Sequence, residues 1–118
     1  MMIAGMASAV SGIQAGGRVL SVGAHNIANA QTDNFKRTRA LLEESSASGQ
    51  VTVTLQTDER PGPQFFSSDN SFSFREGSNV DPGEEIISNL HAVNLIEANM
   101  ASFRIQGKVL GSLLDITE

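Results

Sequence analysis

Residues 3–27 read IAGMASAVSGIQAGGRVLSVGAHNI, and the spacing of their apolar residues predicts the structure of the N-terminal part of the chain. Apolar or small residues recur in it at steps of three and four, over about three and a half heptads. These positions are Ile3, Met6, Val10, Ile13, Gly17, Leu20, Ala24 and Ile27. The spacing predicts a helix with one apolar stripe, roughly 40 Å long at the usual rise per residue.

Glycine is frequent inside this predicted helix. The glycines within it are Gly5, Gly12, Gly16, Gly17 and Gly23. Each lowers helix stability by about 1 kcal/mol relative to alanine, so the helix would be weak by itself. Two interpretations stay open at this point. The segment is either a poor helix in an ordinary bundle or a helix that becomes firm only on assembly, where small residues let backbones approach closely.

A second helix is predicted at the other end of the sequence, from about residue 82 to 116. Asp81-Pro82-Gly83-Glu84 supplies a capping residue, a proline suited to the first helical position and an acid at the third, as in a capping box. The helix would be roughly 50 Å long. Its apolar stripe contains Ile86, Leu90, Val93, Ile96, Met100, Phe103, Gly107, Leu110 and Leu114.

This second helix has more apolar surface than one stripe. Leu95, Ile105, Val109 and Leu113 lie off the stripe and form a second, partly apolar flank. One partner helix cannot cover both, which indicates packing beyond a single pair.

The middle of the chain is predicted to hold β-structure. Residues 41–50 are acidic and rich in serine, which indicates a loop, whereas residues 51–57 alternate apolar and polar like a strand. Residues 60–63 (RPGP) break the strand, and residues 71–74 alternate again. We expect the two alternating runs to pair as a hairpin. Its apolar face would contain Val51, Val53, Leu55, Phe72 and Phe74 and would lie on a helix or on another subunit, because an isolated hairpin is only marginally stable.

The predicted fold is therefore mainly α. Two long terminal heptad helices form a coiled-coil-like pair, antiparallel or folded back, with a small β-hairpin or irregular insert between them. Residues 1–40 hold the first helix and an Asn-rich joint, 41–78 the insert and 79–118 the second helix. A chain of 118 residues fits a single domain of this kind.

Composition and charge narrow the function classes. The chain has no cysteine, which excludes disulfides and thiolate metal sites, and its net charge of −5 argues against general nucleic-acid binding. Residues 1–40 carry +3, whereas 41–78 and 79–118 carry −4 each, so basic and acidic segments should attract one another. The first residues lack a basic start and mix polar with apolar residues, so we expect neither a cleaved secretory signal nor a membrane insertion.

Residues that could do chemistry are scarce. His25 and His91 have no recognisable ligand spacing, and neither a phosphate-binding glycine loop nor a marked nucleophile is present. We therefore expect no enzyme, with no catalytic residue, cofactor or metal. The basic run at Lys36 and Arg37 is expected to meet the acidic third segment, in the same subunit or in the next one.

The N-terminal third resembles a known family. Residues 24–30 (AHNIANA), Thr32 and residues 35–37 (FKR) resemble the signature A-N-N-I-A-N-A-N-T-x-G-F-K-R of bacterial flagellar axial proteins, which build the rod, the hook and the hook-filament junction. Residues 11–15 (SGIQA) are similar to the S-G-L-x-A lead-in of that family. The residues that carry this likeness are Asn26, Ile27, Asn29, Phe35, Lys36 and Arg37.

The C-terminal third carries a second likeness to the same family. Residues 78–81 (SNVD), 84–85 (EE), 96–99 (IEAN) and 110–116 (LGSLLDI) resemble the family ending in composition and order. The two likenesses span about two thirds of the chain. His25, Gln31, Asp33-Asn34 and Ile96 depart from the usual letters. The short middle segment resembles small proximal rod proteins rather than the larger hook subunits.

The resemblance implies a structural subunit of the basal-body rod, exported unfolded by the flagellar export apparatus without a cleaved signal. Such subunits polymerise helically with other rod subunits and with themselves, and their terminal helices line a hollow axial shaft. The implied assembly residues are Met6, Val10, Ile13, Leu20, Ile27, Leu90, Val93, Ile96, Met100, Phe103, Leu110 and Leu114. A soluble acidic coiled-coil adaptor or export chaperone is the alternative, because it would share the helices and the charge.

The Asn-rich stretch is interpreted as the joint between the first helix and the rest of the subunit. Asn26 and Asn29 fall where the helix must end, and asparagine can satisfy freed backbone groups and tolerate left-handed geometry. Phe35 would then fold the exit back onto the helices, which leaves Lys36 and Arg37 for acidic partners.

Overall fold

The computed structural model describes residues 2–68 and 73–116. Two helices enclose four strands in chain order: α1 Met2–Ala28, β1 Thr38–Glu44, β2 Val51–Thr57, β3 Gln64–Ser67, β4 Ser73–Glu76 and α2 Pro82–Asp115. The described chain is mainly α, with two small antiparallel hairpins between the helices. The two helices predicted from periodicity are therefore confirmed.

The start of α2 follows from local chemistry. The Asp81 side chain accepts hydrogen bonds from the N–H groups of Gly83, at 2.8 Å, and of Glu84, at 3.4 Å. Pro82 has no N–H to lose at the first helical position. The predicted capping box is wrong in one respect, because the Glu84 carboxylate binds the Arg37 guanidinium instead of reaching back to the cap.

The two helices lie antiparallel, with Gly23 opposite Asn89 and Gly5 opposite Gln106. The seam between them is made of small residues on α1, namely Gly5, Ala9, Gly12, Gly16 and Gly23, which face Asn89, Ala92, Ile96, Asn99 and Gln106. A Cβ atom added at Gly16 would lie only 2.5 Å from Ile96 Cγ1, so the backbones are close. This seam is one residue, or about 100°, away from the apolar stripe predicted on α1.

The predicted apolar stripes consequently point mostly away from the helix pair. Ile96 lies in the seam, and Met6, Ile13 and Leu20 are half-buried. The exposed large apolar residues of the two stripes are Ile3, Val10, Ile27, Ile86, Leu90, Val93, Met100, Phe103, Leu110 and Leu114. Among the described residues the buried apolar core contains only Ala9, Ala15, Val80 and Ala92.

The first hairpin packs on α1. Strands β1 and β2 pair antiparallel, with Thr38 opposite Thr57. The Ser11 hydroxyl accepts a hydrogen bond from the Val51 N–H at 3.0 Å, and the Ser8 hydroxyl donates to the Gly49 carbonyl at 2.6 Å. The predicted apolar face is thus partly covered by α1: Val51 and Val53 are half-buried, and Leu55 is exposed.

The predicted strand pairing is wrong. β2 pairs with β1, which includes residues 41–44 that were expected to be loop, and not with residues 71–74. Residues 29–37, the joint, turn the chain back along α1, where Asn26 binds Thr38. The strand that begins at Thr38 therefore lies next to β2 and pairs with it. Phe74 instead pairs with Phe66 on β3. Ser71 and Phe72, also assigned to the predicted hairpin, lie outside the described residues.

Candidate assembly joint and exposed helix faces

The joint comprises residues 29–37, between α1 and β1, and its first residue closes the helix. The Asn29 side chain donates a hydrogen bond to the His25 carbonyl at 2.9 Å and accepts one from the Thr32 hydroxyl at 3.2 Å. The Asn29 N–H donates to the same carbonyl at 3.2 Å, so Asn29 adds a second hydrogen bond in the last helical turn rather than satisfying a freed group, which the sequence had predicted.

Asn26 has a different task from the one expected. It lies inside α1, which continues to Ala28, and it is 0% exposed. Its Nδ2 donates to the Thr38 carbonyl at 2.7 Å, and its Oδ1 accepts from the Thr38 N–H at 3.0 Å. The amide thus pairs with both backbone groups of one residue, much as a neighbouring strand would. Asn26 does not end its own helix but fixes the first residue of β1 against α1.

The left-handed residue of the joint is Asn34, whose φ is 58°. Among the described non-glycine residues it alone has a positive φ, so the expectation of left-handed geometry at Asn26 or Asn29 is wrong. Asparagine visits this region more readily than most residues. Asn34 stands where the flagellar signature that the sequence resembles has a glycine, and asparagine is compatible with the left-handed conformation found there. Its N–H donates to the Glu76 carbonyl at 2.9 Å, which ties the joint to β4.

Phe35 folds the joint back on α1, as predicted. Its ring meets the His25 ring edge-on, with centroids 5.5 Å apart. The neighbouring Asp33 forms an ion pair with Arg75 on β4. His25 and Asp33, two of the residues that depart from the signature, therefore contact the joint or the insert directly.

The basic run meets acidic partners in two places. Arg37 binds Glu84 and lies 2.9 Å from Glu85 Oε1, and the Arg37 and Glu85 side chains are only 11% and 5% exposed. The expectation that this run contacts the acidic start of α2 is confirmed for Arg37. Lys36 instead contacts the insert, with its Nζ 2.5 Å from Glu76 Oε1 and 3.1 Å from the Arg60 carbonyl.

Asn79 is the residue that the sequence reasoning missed. Its Oδ1 accepts from the Arg37 N–H at 2.6 Å, and its Nδ2 donates to the carbonyls of Asp58, at 2.7 Å, and Arg60, at 2.8 Å. Its own N–H donates to the Phe35 carbonyl at 3.3 Å. One side chain thus links the joint, the turn after β2 and the start of α2. In the sequence, Asn79 was marked only by the likeness of residues 78–81 (SNVD) to the family ending. The spacing of apolar residues assigned it no role.

Two carboxylates near Asn79 are held ionised. Hydrogen bonds from the Arg60 side chain keep the pKa of Asp58 well below its ordinary value, and Arg39 adds to this. The Lys36 ammonium, with the Gly62 N–H, lowers the pKa of Glu76. The charged Glu76 therefore binds Lys36 of the joint, whereas the charged Asp58 binds Arg39 and Arg60 next to it.

Outside the joint, α2 offers two exposed apolar flanks. The first flank consists of Ile86, Leu90 and Val93, which are 53%, 60% and 39% exposed. The second flank consists of Ile105, Val109 and Leu113, which are 62%, 45% and 50% exposed. Among the described elements α2 packs only against α1, so neither flank has a partner within the subunit.

Comparison of the chain with the models of known protein families and with curated proteins gives no match. Over residues 2–68 and 73–116, no helix is long and apolar enough to cross a membrane. In the same ranges, no three His, Asp or Glu side chains are grouped as metal ligands. His91 lies exposed on α2.

Proposed function

We propose that this chain is a structural subunit of the bacterial flagellar basal-body rod. It reaches the periplasm-spanning rod through the flagellar export apparatus and polymerises helically with copies of itself and other rod subunits. In the assembled shaft, the heptad stripes of α1 and α2 provide coiled-coil-like packing that the isolated subunit lacks.

The observation that carries the proposal is the mismatch between the small core and the large exposed apolar surface. The chain has 8221 Å² of accessible surface, against about 6,200 Å² expected for a folded monomer of its mass. Its extents of 83 × 24 × 14 Å describe a thin rod-shaped subunit. Burying one exposed leucine would contribute roughly 1.5–3 kcal/mol, so contacts between subunits can contribute more than the internal core does.

The helix seam supports the same conclusion because it is weak. It sets glycines against amides, and no donor from the described residues reaches the buried Asn89 Oδ1 or Gln106 Oε1. An unsatisfied buried polar group costs about 1–3 kcal/mol. A subunit with such a seam gains stability when neighbours bury its outer faces.

The side-chain contacts of the joint also support the resemblance to the flagellar axial proteins. Two sequence segments that resemble the flagellar signatures lie far apart in the chain, yet Asn79 binds the backbone of Arg37, and Arg37 binds Glu84 and Glu85. Because the two segments contact each other, we infer that they act together and position the insert relative to the helix pair.

The test is a gene deletion followed by electron microscopy of isolated basal bodies. We expect the deletion to remove the rod and motility, the wild-type gene to restore both, and Leu90→Asp to restore neither. Asn94→Asp, a matched change at an exposed polar position of α2, should restore both. Complete rods in the deletion strain would refute the proposal. Loss of other exported subunits, with this chain absent from basal bodies, would instead identify an adaptor or chaperone.

A further inference from the structure

We propose that the outer edge of β1 binds an extended segment of another protein, one that carries lysine or arginine, as a third strand. The bound segment would lie in the cleft between β1 and α2. This site is separate from the outer faces of the helices, and the inference does not depend on the rod function.

The hydrogen bonds of the first hairpin show which backbone groups of β1 point away from β2. The Arg37 carbonyl accepts from the Asp58 N–H at 2.9 Å, and the Ser45 N–H donates to the Gln50 carbonyl at 2.8 Å. The register is unbroken between these two pairs, so the odd-numbered residues of β1 bond β2 and the even-numbered ones face the outer edge. The even-numbered residues are Thr38, Ala40, Leu42 and Glu44.

Asn26 already occupies the first position of this outer edge. Its amide donates to the Thr38 carbonyl at 2.7 Å and accepts from the Thr38 N–H at 3.0 Å, as a third strand would. Ala40 and Leu42 follow on the same edge, and among the described residues β2 is the one strand that pairs with β1. The N–H and carbonyl groups of Ala40 and Leu42 therefore form an open strand edge, which can pair with an extended peptide.

The open edge borders a cleft of about 300 Å³. The cleft is lined by residues 37–41, by Val19, Val22 and Gly23 of α1, and by Glu84, Glu85 and Ser88 of α2. No described residue of β2 lines it, and among the described elements α2 packs only against α1. The cleft therefore lies between the outer edge of β1 and α2, with α1 beneath, and has room for side chains of a bound peptide.

The charge of the cleft favours a basic ligand. Arg37 alone binds both Glu84 and Glu85, because Arg39 binds Asp58 at 3.2 Å, outside the cleft. The Glu85 side chain is only 5% exposed, and its Oε1 accepts no hydrogen bond from the described residues. A buried carboxylate that is incompletely paired is costly, and an ammonium or guanidinium group would supply both the missing donor and the missing charge.

The far end of β1 has the same character. Glu43 and Glu44 are exposed there, next to Leu42, which is 45% exposed. A peptide that alternates basic and apolar residues therefore complements the edge along its length. Complementary charge favours such a partner over an acidic one and steers its approach.

The test measures peptide binding to the purified chain by fluorescence anisotropy. The probe is a fluorescein-labelled hexapeptide that alternates lysine and valine, and a second hexapeptide has glutamate in place of lysine. We expect the basic peptide to bind saturably and to weaken as salt is added, and the acidic one to bind at least about tenfold more weakly.

Two proline variants test which edge is used. Leu42→Pro removes an N–H from the outer edge of β1, and Leu55→Pro removes one from the opposite edge, since Leu55 pairs with Ala40. Neither substitution removes a hydrogen bond between β1 and β2, and circular dichroism checks that both variants fold. Leu42→Pro should weaken binding about tenfold or more, whereas Leu55→Pro, the matched control, should change it by less than about twofold.

Modified peptides give the same test on the wild-type chain. N-methylation of every valine blocks one edge of the bound strand, and N-methylation of every lysine blocks the other. One of these two patterns should abolish binding, and the other should retain it. Equal binding by both would contradict pairing through the backbone.

Four other results would overturn the inference. They are no binding of the basic peptide at the highest soluble concentration, equal binding of the acidic peptide, equal effects of the two proline variants, and a wild-type dimer that Leu42→Pro dissociates in sedimentation equilibrium. The last result would assign the edge to a second copy of the chain. Complete rods in the deletion strain would reject the rod function and leave peptide binding unaffected, so the two proposals fail separately.

Discussion

Replacing Asn26, the single asparagine of α1, with alanine should lower the free energy of unfolding by several times the effect of an exposed asparagine. The side chain is 0% exposed and pairs with both backbone groups of Thr38, at 2.7 and 3.0 Å. Alanine removes both hydrogen bonds and leaves the Thr38 N–H and carbonyl without that partner. It also detaches the start of β1 from α1.

The magnitude follows from the two bonds. Each is worth about 0.5–1.5 kcal/mol, and stranding a half-buried donor or acceptor costs about 1–3 kcal/mol more. Because Thr38 is half-buried, water recovers part of this loss, and we expect a total of about 2–4 kcal/mol. At about 4 °C per kcal/mol, the melting temperature should fall by roughly 8–16 °C.

Urea unfolding, followed by circular dichroism, measures the free energy of unfolding for the wild type and for Asn26→Ala. Asn94→Ala is the matched control, because Asn94 is exposed on α2 and should change stability by less than about 0.5 kcal/mol. If Asn26→Ala cost no more than Asn94→Ala, the claim that this amide fixes β1 to α1 would be refuted.

Three further changes test other contacts. Gly16→Ala should lower the melting temperature because its Cβ would lie 2.5 Å from an Ile96 atom, whereas Gly17→Ala, in open space, should raise stability by up to about 1 kcal/mol; equal effects would contradict the seam. Asp81→Ala should cost about 1 kcal/mol in urea unfolding through loss of the α2 cap, and an unchanged midpoint would contradict that role. Because Lys36 lowers the pKa of Glu76 below its ordinary value of 4.5, the stability contributed by this ion pair is complete above that pH and is lost as the pH falls through the lowered pKa. Glu76→Gln should therefore flatten the acid side of a melting-temperature profile, and an unchanged slope would exclude the pair as its source.

Periodicity and capping chemistry predicted the helices well. Heptad spacing identified α1, and Asp81-Pro82 located the start of α2, because these signals depend on residues close together in the chain. The seam could not be predicted in this way. The apolar stripe was the stronger pattern, but the contact with α2 uses the glycines one position away, where close backbone approach outweighs apolar area.

The strand pairing failed for a related reason. Alternation marked β2 correctly, but the choice of partner depended on Asn26 holding Thr38, a contact across 12 positions of sequence. The contact of Arg37 with acidic residues of the third segment was predicted correctly, because opposite charges attract and both are visible in the sequence. Asn79 stayed without a role, because a neutral amide that binds three backbone groups leaves no periodic or charge signal.

The proposed rod function requires that the outer faces of the helices be buried in an axial assembly of the flagellum. Maleimide labelling of Leu90→Cys tests it directly, since the chain has no other cysteine and Leu90 is 60% exposed in the subunit. We predict rapid labelling of the dilute purified chain and strong protection of the same residue in isolated basal bodies that contain it. Equal labelling in both, or basal bodies without the chain, would contradict the burial of this helix face in the rod.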